Sequence, residues 1–222
     1  LFLDEKGFNA KIQPVFSAYS IKDCCTSTAE WALSGDRLDM ALLCPDAADR
    51  LIERDNRYQI IGPVMINSDI IVVHPGIEPQ TVGITQNRWY QKELIEAAFG
   101  PDCRAVPMLS GALPYAYQDN KVDAVVMDIE KALLLKGDYL STHHDGNDIV
   151  TYVLVVRKSF IEDERYKQFL QAFNESVKEL TDPVILQKTL ENYSNYPCEG
   201  KEAEKWLKLK VHYQQLTTVD IK

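Results

Sequence analysis

The sequence lacks the motifs that mark several common enzyme classes. It contains no GxxxxGK[ST] phosphate loop, no GxGxxG dinucleotide loop, no GxSxG nucleophile elbow and no HExxH zinc motif. Each of these motifs places backbone N–H groups, a serine hydroxyl or paired imidazoles at a defined point. Nucleotide binding, serine hydrolysis and zinc proteolysis therefore have no support from motifs, and we expect no catalytic residue and no cofactor.

Basic residues and long apolar runs are also scarce. There are 24 Lys and Arg against 33 Asp and Glu, a net charge of −9, which argues against a nucleic-acid partner. No apolar run approaches the roughly 20 residues that cross a bilayer. The first three residues lead directly into the charged residues 4–6, unlike a signal peptide. With 45% hydrophobic and 26% charged residues, the composition is that of a globular protein.

Cysteine and histidine are too few and too scattered to define a site. The five cysteines are few, scattered and odd in number, which disfavours a disulfide framework. None of them forms a CxxC pair, which disfavours a structural zinc site. The adjacent Cys24 and Cys25 permit a redox site, although burial as small apolar residues is the favoured reading. His143 and His144 precede Asp145, but their polar surroundings favour a solvated loop over a metal site. We expect no metal.

Strand and helix patterns alternate along the chain. Apolar runs of strand length occur at residues 10–16, 38–43, 58–63, 69–74, 81–85, 104–107, 122–127 and 149–156. Helical patterns occur at residues 23–33, 45–54, 87–99, 110–119 and 129–135, and fill most of the chain after residue 160, including a last helix over 206–216. This alternation predicts an α/β fold with parallel sheets. Leu42 is expected to be buried.

The same order of elements occurs twice, which predicts two units. The turn-rich segment 75–79 lies between the two sets, and residues 33–46 resemble residues 117–130 at a spacing of 84 positions. In each copy an aspartate, Asp39 or Asp123, opens the buried strand. A candidate ligand-facing residue, Cys44 or Asp128, follows the strand at its carboxyl end, where open α/β sheets hold ligands.

Polar residues recur where strands are followed by helices. Backbone N–H groups at helix starts lack partners and carry partial positive charge, so such loops can hold a ligand. These candidate positions are Ser17, Tyr19, Ser20, Cys44, Pro45, Asp46, Thr85, Gln86, Arg88, Trp89, Ser110 and Asp128. For Asp46 and Ser110, helix capping is an equally good explanation.

Arg88 and Trp89 differ from the other candidates. A cation and a large ring directly after a strand are unusual in a helix cap, and together they would clamp a planar or anionic group. The alternative for Trp89 is a place in the core.

Four stretches resemble one family. Residues 2–8 (FLDEKGF), 33–41 (LSGDRLDMA), 120–125 (NKVDAV) and 153–160 (VLVVRKSF) are similar, in order and spacing, to segments of the type II periplasmic binding proteins. The similarity is to the nitrate, sulfonate and thiamine-pyrimidine branch, which comprises solute-binding components of ABC importers. Residues 33–41 and 120–125 resemble the Gly and Asp signatures of the two lobes of that branch.

The resemblance implies a two-lobe Venus-flytrap fold that closes on a small molecule. It implies two hinge crossings, with residues 1–74 and 153–222 in one lobe and residues 75–152 in the other. Asn67, Ser68 and Thr151 would join the cleft residues. The partners implied are a small-molecule solute and an ABC transporter permease, and we expect a monomer outside the cytoplasm, in the periplasm or lipid-anchored.

One departure from the family concerns the beginning of the chain. The family starts with a strand before its early helix, and that strand is missing here. We expect a truncated N-terminus and a removed export signal.

Two other classes remain open from the sequence. Pyrimidine synthases resemble this architecture but carry a cysteine-rich run before the returning strand, whereas residues 143–151 (HHDGNDIVT) contain no cysteine. Dehydratases of menaquinone biosynthesis form a second enzymatic branch. A ligand-sensing domain of a larger receptor is the third possibility.

The charges near the predicted cleft favour some solutes over others. Asp46 and Asp128 with Arg88 as the obvious cation disfavour an oxyanion, because an unpaired buried carboxylate opposing an anion costs several kcal/mol. A neutral or cationic heterocycle is preferred, and Tyr19, Trp89 and Tyr115 would stack on its ring.

Overall fold

The computed structural model describes residues 38–144, 146–193 and 198–217, and these residues form two β-sheets with helices packed on them. The strands are β1 (Met40–Leu43), β2 (Tyr58–Ile66), β3 (Asp69–Val73), β4 (Thr81–Thr85), β5 (Arg104–Met108), β6 (Ala124–Asp128), β7 (Asp138–Ser141), β8 (Val150–Arg157) and β9 (His212–Tyr213). The helices are α1 (Pro45–Arg54), α2 (Tyr90–Phe99), α3 (Leu113–Gln118), α4 (Ile129–Ala132), α5 (Lys158–Ile161), α6 (Glu164–Glu179), α7 (Pro183–Tyr193) and α8 (Glu202–Lys208). The predicted elements at 10–16 and 23–33 lie outside the described residues.

The two sheets have different strand directions. The first sheet has the order β1-β8-β2-β9, and each neighbouring pair is antiparallel. The second sheet has the order β5-β4-β6-β3-β7, in which β4 is parallel to β5 and β6 while β3 is antiparallel to β6 and β7. The expectation of parallel sheets is therefore right for three strands of the second sheet and wrong for the first. The reason is that β8 returns from the second sheet and runs between β1 and β2.

Apolar cores cover both faces of each sheet. In the first sheet, successive residues of β8 alternate between a core with α1, which contains Val153 and Val155, and a core with α5 and α6, which contains Leu154 and Val156. Both faces are buried, so β8 is a nearly continuous apolar run rather than an alternating one. The second sheet is also buried on both faces, because the neighbouring residues Ile70 and Ile71 of β3 lie in separate cores.

The C-terminal segment differs from the single predicted helix. Helix α8 ends at Lys208, and His212 begins a short strand paired with β2. Trp206 packs in the core of the second sheet, whereas Leu216 packs in that of the first. The apolar spacing of these residues matched a helix, but the left-handed backbone at Lys210 (φ 62°) turns the chain between the sheets.

The two sheets do not divide the chain at the residues predicted to separate the lobes. Strand β3, predicted to belong with the first lobe, lies inside the second sheet, and helices α7 and α8 pack against that sheet. Residues 67–68 and the segment before β8 connect the two sheets, and residues 209–211 connect them a third time. The crossing predicted near residue 75 instead joins β3 and β4 within the second sheet. Of the helices in the described parts of the chain, none is both long and apolar enough to span a bilayer.

Candidate functional site

The candidate site lies where the chain passes from one sheet to the other. Because β4 and β6 are parallel, Thr85 and Asp128 leave the second sheet at the same edge, and antiparallel β3 begins there at Asp69. In the first sheet, Leu43 at the end of β1 pairs with Val153 near the start of β8. Connections of a few residues hold these two edges together, so polar residues from both sheets meet.

Asp69 is fully buried at this edge and accepts hydrogen bonds from three side chains. Arg88 Nη1 lies 2.9 Å from Asp69 Oδ1, and the Tyr90 hydroxyl donates to Oδ2 at 2.6 Å. The Gln91 amide also donates to Oδ2, while its carbonyl oxygen accepts the Thr85 N–H at 2.8 Å. One carboxylate therefore positions the whole loop between β4 and α2. Arg88 is only 8% exposed, and Asp69 balances its charge inside the protein.

Tyr152 extends this network into the first sheet. Its hydroxyl accepts a hydrogen bond from Arg88 Nη2 at 2.9 Å and lies 3.5 Å from Asp128 Oδ2. The Arg88 guanidinium lies 5.3 Å from the centre of the Tyr152 ring, within the range of a cation–π contact. Tyr90 and Tyr152 both pack against the core between β1, β8 and α1. Side chains thus join the two sheets directly at this point.

Asp128 ends β6 and caps the short helix that follows. Its Oδ1 accepts the Glu130 N–H at 3.2 Å, while Oδ2 is directed toward Tyr152. Burial raises the pKa of Asp128 to about 7, and the negative charges of Asp69 and Glu130 act in the same direction. Near neutral pH this carboxyl is therefore divided between its acid and its anion.

Ser68 and Thr151 connect the starts of β3 and β8. The Ser68 N–H donates to Thr151 Oγ1 at 2.9 Å, and the Ser68 carbonyl accepts the Ile129 N–H at 2.8 Å. Both side chains are fully buried. The Ser68 hydroxyl has no hydrogen-bond partner among the described residues, so it is the group of this pair that retains capacity for a ligand.

Asn67 ties all three connections between the sheets together. Its Nδ2 donates to Asp148 Oδ1 at 2.8 Å and to the Lys210 carbonyl at 3.1 Å. Its Oδ1 accepts the Ile149 N–H, and its own N–H donates to the Ile149 carbonyl, both at 2.8 Å. These bonds use both amide hydrogens, so Asn67 holds the connections rather than offering a donor to a solute. Its left-handed backbone (φ 56°) suits asparagine.

The start of α1 meets the start of α2 from the opposite sheet. Cys44 is fully buried, and its carbonyl accepts the first N–H groups of the helix that Pro45 opens. Burial raises the pKa of Asp46, while hydrogen bonds from the backbone N–H groups of Trp89 and Tyr90 lower it in part. Asp46 Oδ2 is buried and has no partner among the described residues. Asp46 therefore acts across the sheets and not as the cap of its own helix.

Several solved structures have a similar fold. The ligand-binding component of an ABC-type import system from Staphylococcus aureus, solved with zinc bound, is 15% identical over 86% of this chain and 71% of that chain, with a TM-score of 0.66. The alkanesulfonate-binding protein SsuA from Xanthomonas axonopodis, bound to MOPS, is 14% identical over 86% and 74% of the two chains, with a TM-score of 0.63. The aliphatic sulphonate-binding protein SsuA from Escherichia coli is 15% identical over 84% and 70%, with a TM-score of 0.59.

The chain has the two-lobe fold of the periplasmic binding proteins. No protein-family model and no curated protein matches the sequence. At these identities the similarity establishes the fold alone. The hydrogen-bond network around Asp69 lies where the two sheets are connected.

The remaining predicted residues lie at different distances from this network. Gln86 donates its N–H to the Met108 carbonyl at 2.8 Å and so links the loops after β4 and β5. Ser110 lies before α3, whose first residue follows Ala112, so it does not cap that helix. Trp89 is 60% exposed and Tyr115 is 70% exposed, which excludes the core position considered for Trp89. Ser17, Tyr19 and Ser20 lie outside the described residues.

The structure adds four residues that the sequence did not identify, namely Asp69, Tyr90, Gln91 and Tyr152. Asp69 could have been identified from the sequence, because it is an acidic residue at the start of an apolar run, the same pattern that marked Asp39 and Asp123. The other three lie on elements that were predicted, but their directions depend on how the two sheets meet.

The cluster considered at His143 and His144 includes Asp145, which lies outside the described residues. His143 Nδ1 lies 2.7 Å from Asp148 Oδ1 in a surface pair. Across residues 38–144, 146–193 and 198–217, no three His, Cys, Asp or Glu residues are grouped so that they could hold a metal ion.

Proposed function

We propose that this chain is the solute-binding protein of an ABC importer. It captures a small molecule between its lobes outside the cytoplasm and delivers it, chemically unchanged, to the membrane permease. The observation that most supports this function is the polar network in the cleft, in which Arg88 of one lobe donates to Tyr152 of the other. Contacts of this kind make and break as the lobes move, so a solute that adds further contacts shifts the equilibrium toward closure.

The lobe boundaries proposed from the sequence need to follow the sheets. We assign β1, β2, β8 and β9 with α1, α5 and α6 to one lobe, and β3 to β7 with α2, α3, α4, α7 and α8 to the other. The protein works as a monomer in this scheme, because both sides of the cleft come from one chain.

The solute is a neutral or cationic heterocycle rather than an oxyanion. Three carboxyl groups, those of Asp46, Asp69 and Asp128, surround the start of α2, and the Arg88 charge among them is already paired with Asp69. An incoming anion would face these carboxylates, and the cation nearest to Asp69 and Asp128 is already paired. Arg50, whose charge lowers the pKa of Asp46, lies on the Asp46 side of the group. The exposed ring of Trp89 offers a surface on which a planar solute stacks.

A binding screen on the full chain tests this function. Thermal unfolding is measured with vitamins, pyrimidines, amines, sulfonates and nitrate, the sulfonates because one structural neighbour is bound to MOPS. A true solute at a hundredfold excess over its dissociation constant adds about 2.7 kcal/mol of stability. Stabilisation by sulfonates or nitrate alone would contradict the preference for a heterocycle, and chemical conversion of a bound compound, detected by mass spectrometry, would favour an enzyme.

Two variants show where the compound binds. Trp89→Ala should weaken binding and leave the unliganded protein as stable as before, because the ring is mostly exposed. Leu207→Ala, another exposed apolar side chain but on α8, serves as the control and should leave affinity unchanged. Equal affinities for the two variants would remove Trp89 from the site.

A further inference from the structure

Asp69 and Asp128 occupy directly opposite positions on the antiparallel strands β3 and β6. The Cβ atoms of such cross-strand partners lie about 4.5 to 5.5 Å apart, and like charges at these positions repel each other. When two carboxyl groups share a site in this way, one keeps its charge and the other keeps its proton. The hydrogen bonds around each carboxyl group decide which one is charged and which one is protonated.

The hydrogen-bond donors around Asp69 are stronger than those around Asp128. Asp69 receives a guanidinium, a tyrosine hydroxyl and an amide, whereas Asp128 receives a backbone N–H at 3.2 Å and a hydroxyl at 3.5 Å. Charge-assisted bonds to Arg88 stabilise the anion of Asp69. The single guanidinium is therefore committed to Asp69, and the proton belongs to Asp128.

We propose that Asp128 is a neutral carboxylic acid in the cleft and that the bound solute presents an uncharged acceptor, such as a ring nitrogen or a carbonyl oxygen, to its proton. The solute part of this inference rests on the proposed function. Asp69 is balanced by Arg88, so this pair of carboxyl groups carries no net charge while Asp128 holds its proton. Between the neutral and the cationic heterocycle, it therefore selects the neutral one.

The charged and titratable groups around Asp128 come from five elements of the structure. They are Asp69 on β3, Arg88 before α2, Glu130 on α4, Tyr152 on β8 and Tyr213 on β9. Asp69 and Glu130 oppose a charge on Asp128, and Arg88 favours one. Burial raises the pKa of Tyr213, so its hydroxyl stays neutral beside the acid. The pKa of about 7 for Asp128 agrees with this balance.

Carboxyl titration of the unliganded protein tests the protonation directly. The ¹³C signals of the aspartate carboxyl groups are followed against pH in the full chain, in Asp128→Asn, in Asp69→Asn and in the exposed-turn control Asp102→Asn. One signal should titrate near pH 7, vanish in Asp128→Asn, move to lower pH in Asp69→Asn and persist in Asp102→Asn. Persistence of the signal in Asp128→Asn, or titration of every carboxyl below pH 5, would overturn the assignment.

Thermal unfolding gives a second measurement if Asp69→Asn does not fold. The folded state holds the proton on Asp128 that the unfolded chain releases near pH 4, so wild-type stability falls between about pH 4 and pH 7. The melting temperature of Asp128→Asn should therefore rise relative to wild type across this range. A difference in melting temperature between Asp128→Asn and wild type that does not change with pH over this range would overturn the inference.

Calorimetry with uracil, cytosine and the cation benzamidine tests the solute class. A neutral probe that binds should bind roughly tenfold more weakly at pH 8 than at pH 6, because a pKa near 7 leaves about one tenth of the acid protonated at pH 8. Asp128→Asn should lose this pH dependence. Binding of benzamidine alone, or pH-independent binding, would overturn the inference. If no probe binds, the proposed function loses support, and the carboxyl titration alone decides the state of Asp128.

Discussion

The guanidinium of Arg88 lies 2.9 Å from the carboxylate of Asp69, and both side chains are buried. This pair changes the role of Arg88. The sequence predicts a clamp for a planar or anionic group at little cost to the fold, whereas the structure places the cation in an internal ion pair. Such a pair adds modest net stability, but removing one partner leaves a buried charge without compensation.

Replacing Arg88 should therefore unfold the protein more easily. Arg88→Ala is expected to cost about 3 to 5 kcal/mol of unfolding free energy, measured by urea denaturation. Arg57→Ala is the matched control, because Arg57 pairs with Asp55 at the surface and such pairs contribute less than about 1 kcal/mol. Similar losses in the two variants would show that Arg88 and Asp69 are not a buried pair in solution.

Asn67 should matter through its side chain and not through its backbone conformation alone. Asn67→Ala removes bonds to Asp148, Ile149 and Lys210, while Asn120→Ala changes an exposed asparagine with nearly the same φ, 54° against 56°. Each buried group left without a partner costs about 1 to 3 kcal/mol. Asn67→Ala is expected to lose at least about 2 kcal/mol more than Asn120→Ala in urea denaturation. Equal losses would assign the effect to backbone strain.

Asp123 should make stability depend on acid pH. Burial alone would raise its pKa, but hydrogen bonds from the Thr81 hydroxyl and from the N–H groups of Gln80 and Thr81 outweigh burial and lower it. A lowered pKa means that the carboxylate stabilises the fold above about pH 4, and this contribution disappears as pH falls through the folded pKa. Asp123→Asn should thus be less stable than wild type at pH 7, and in thermal melts the gap should narrow as the pH falls below about 4. A gap of constant size would contradict this role.

Leu42 and Leu43 form a matched pair on β1. Leu43 is 1% exposed and packs against α1, while Leu42, predicted to be buried, is 47% exposed. Leu43→Ala should cost about 2 to 5 kcal/mol and Leu42→Ala less than about 1 kcal/mol in urea denaturation. A larger loss for Leu42→Ala than for Leu43→Ala would show that Leu42, and not Leu43, faces the core.

The elements of the fold were largely predictable because local patterns determine them. The apolar runs at β3, β6 and β8 and the helical spacing of α6 follow from burial of neighbouring residues. The short edge strand β7 (burial alternating, flanked by polar residues) and the antiparallel pairing of β8 carried no local signal. Both depend on which strand the chain returns to, a property of the whole topology.

The positions of several residues of the candidate site were predictable from the sequence, but their hydrogen-bond partners were not. Arg88 and Asp128 were identified because strand ends collect polar groups, whereas Ser68 and Thr151 were added through the family resemblance. Their pairings were not identified, since Asp69 is 19 positions from Arg88 and Tyr152 is 64 positions from it. Bonds of this length in sequence exist only once the sheets are assembled.

The core of the second sheet contains Trp206, Leu209 and Val211 beside Ile70 and Val72, residues more than 130 positions earlier. Translation proceeds from the N-terminus, so β3 is synthesised long before the residues that complete the packing of its hydrophobic face. Folding of this sheet therefore finishes late and depends on distant contacts, which slows it. Until those residues are made, the apolar face of β3 is incompletely covered, and such surface is prone to association with other chains.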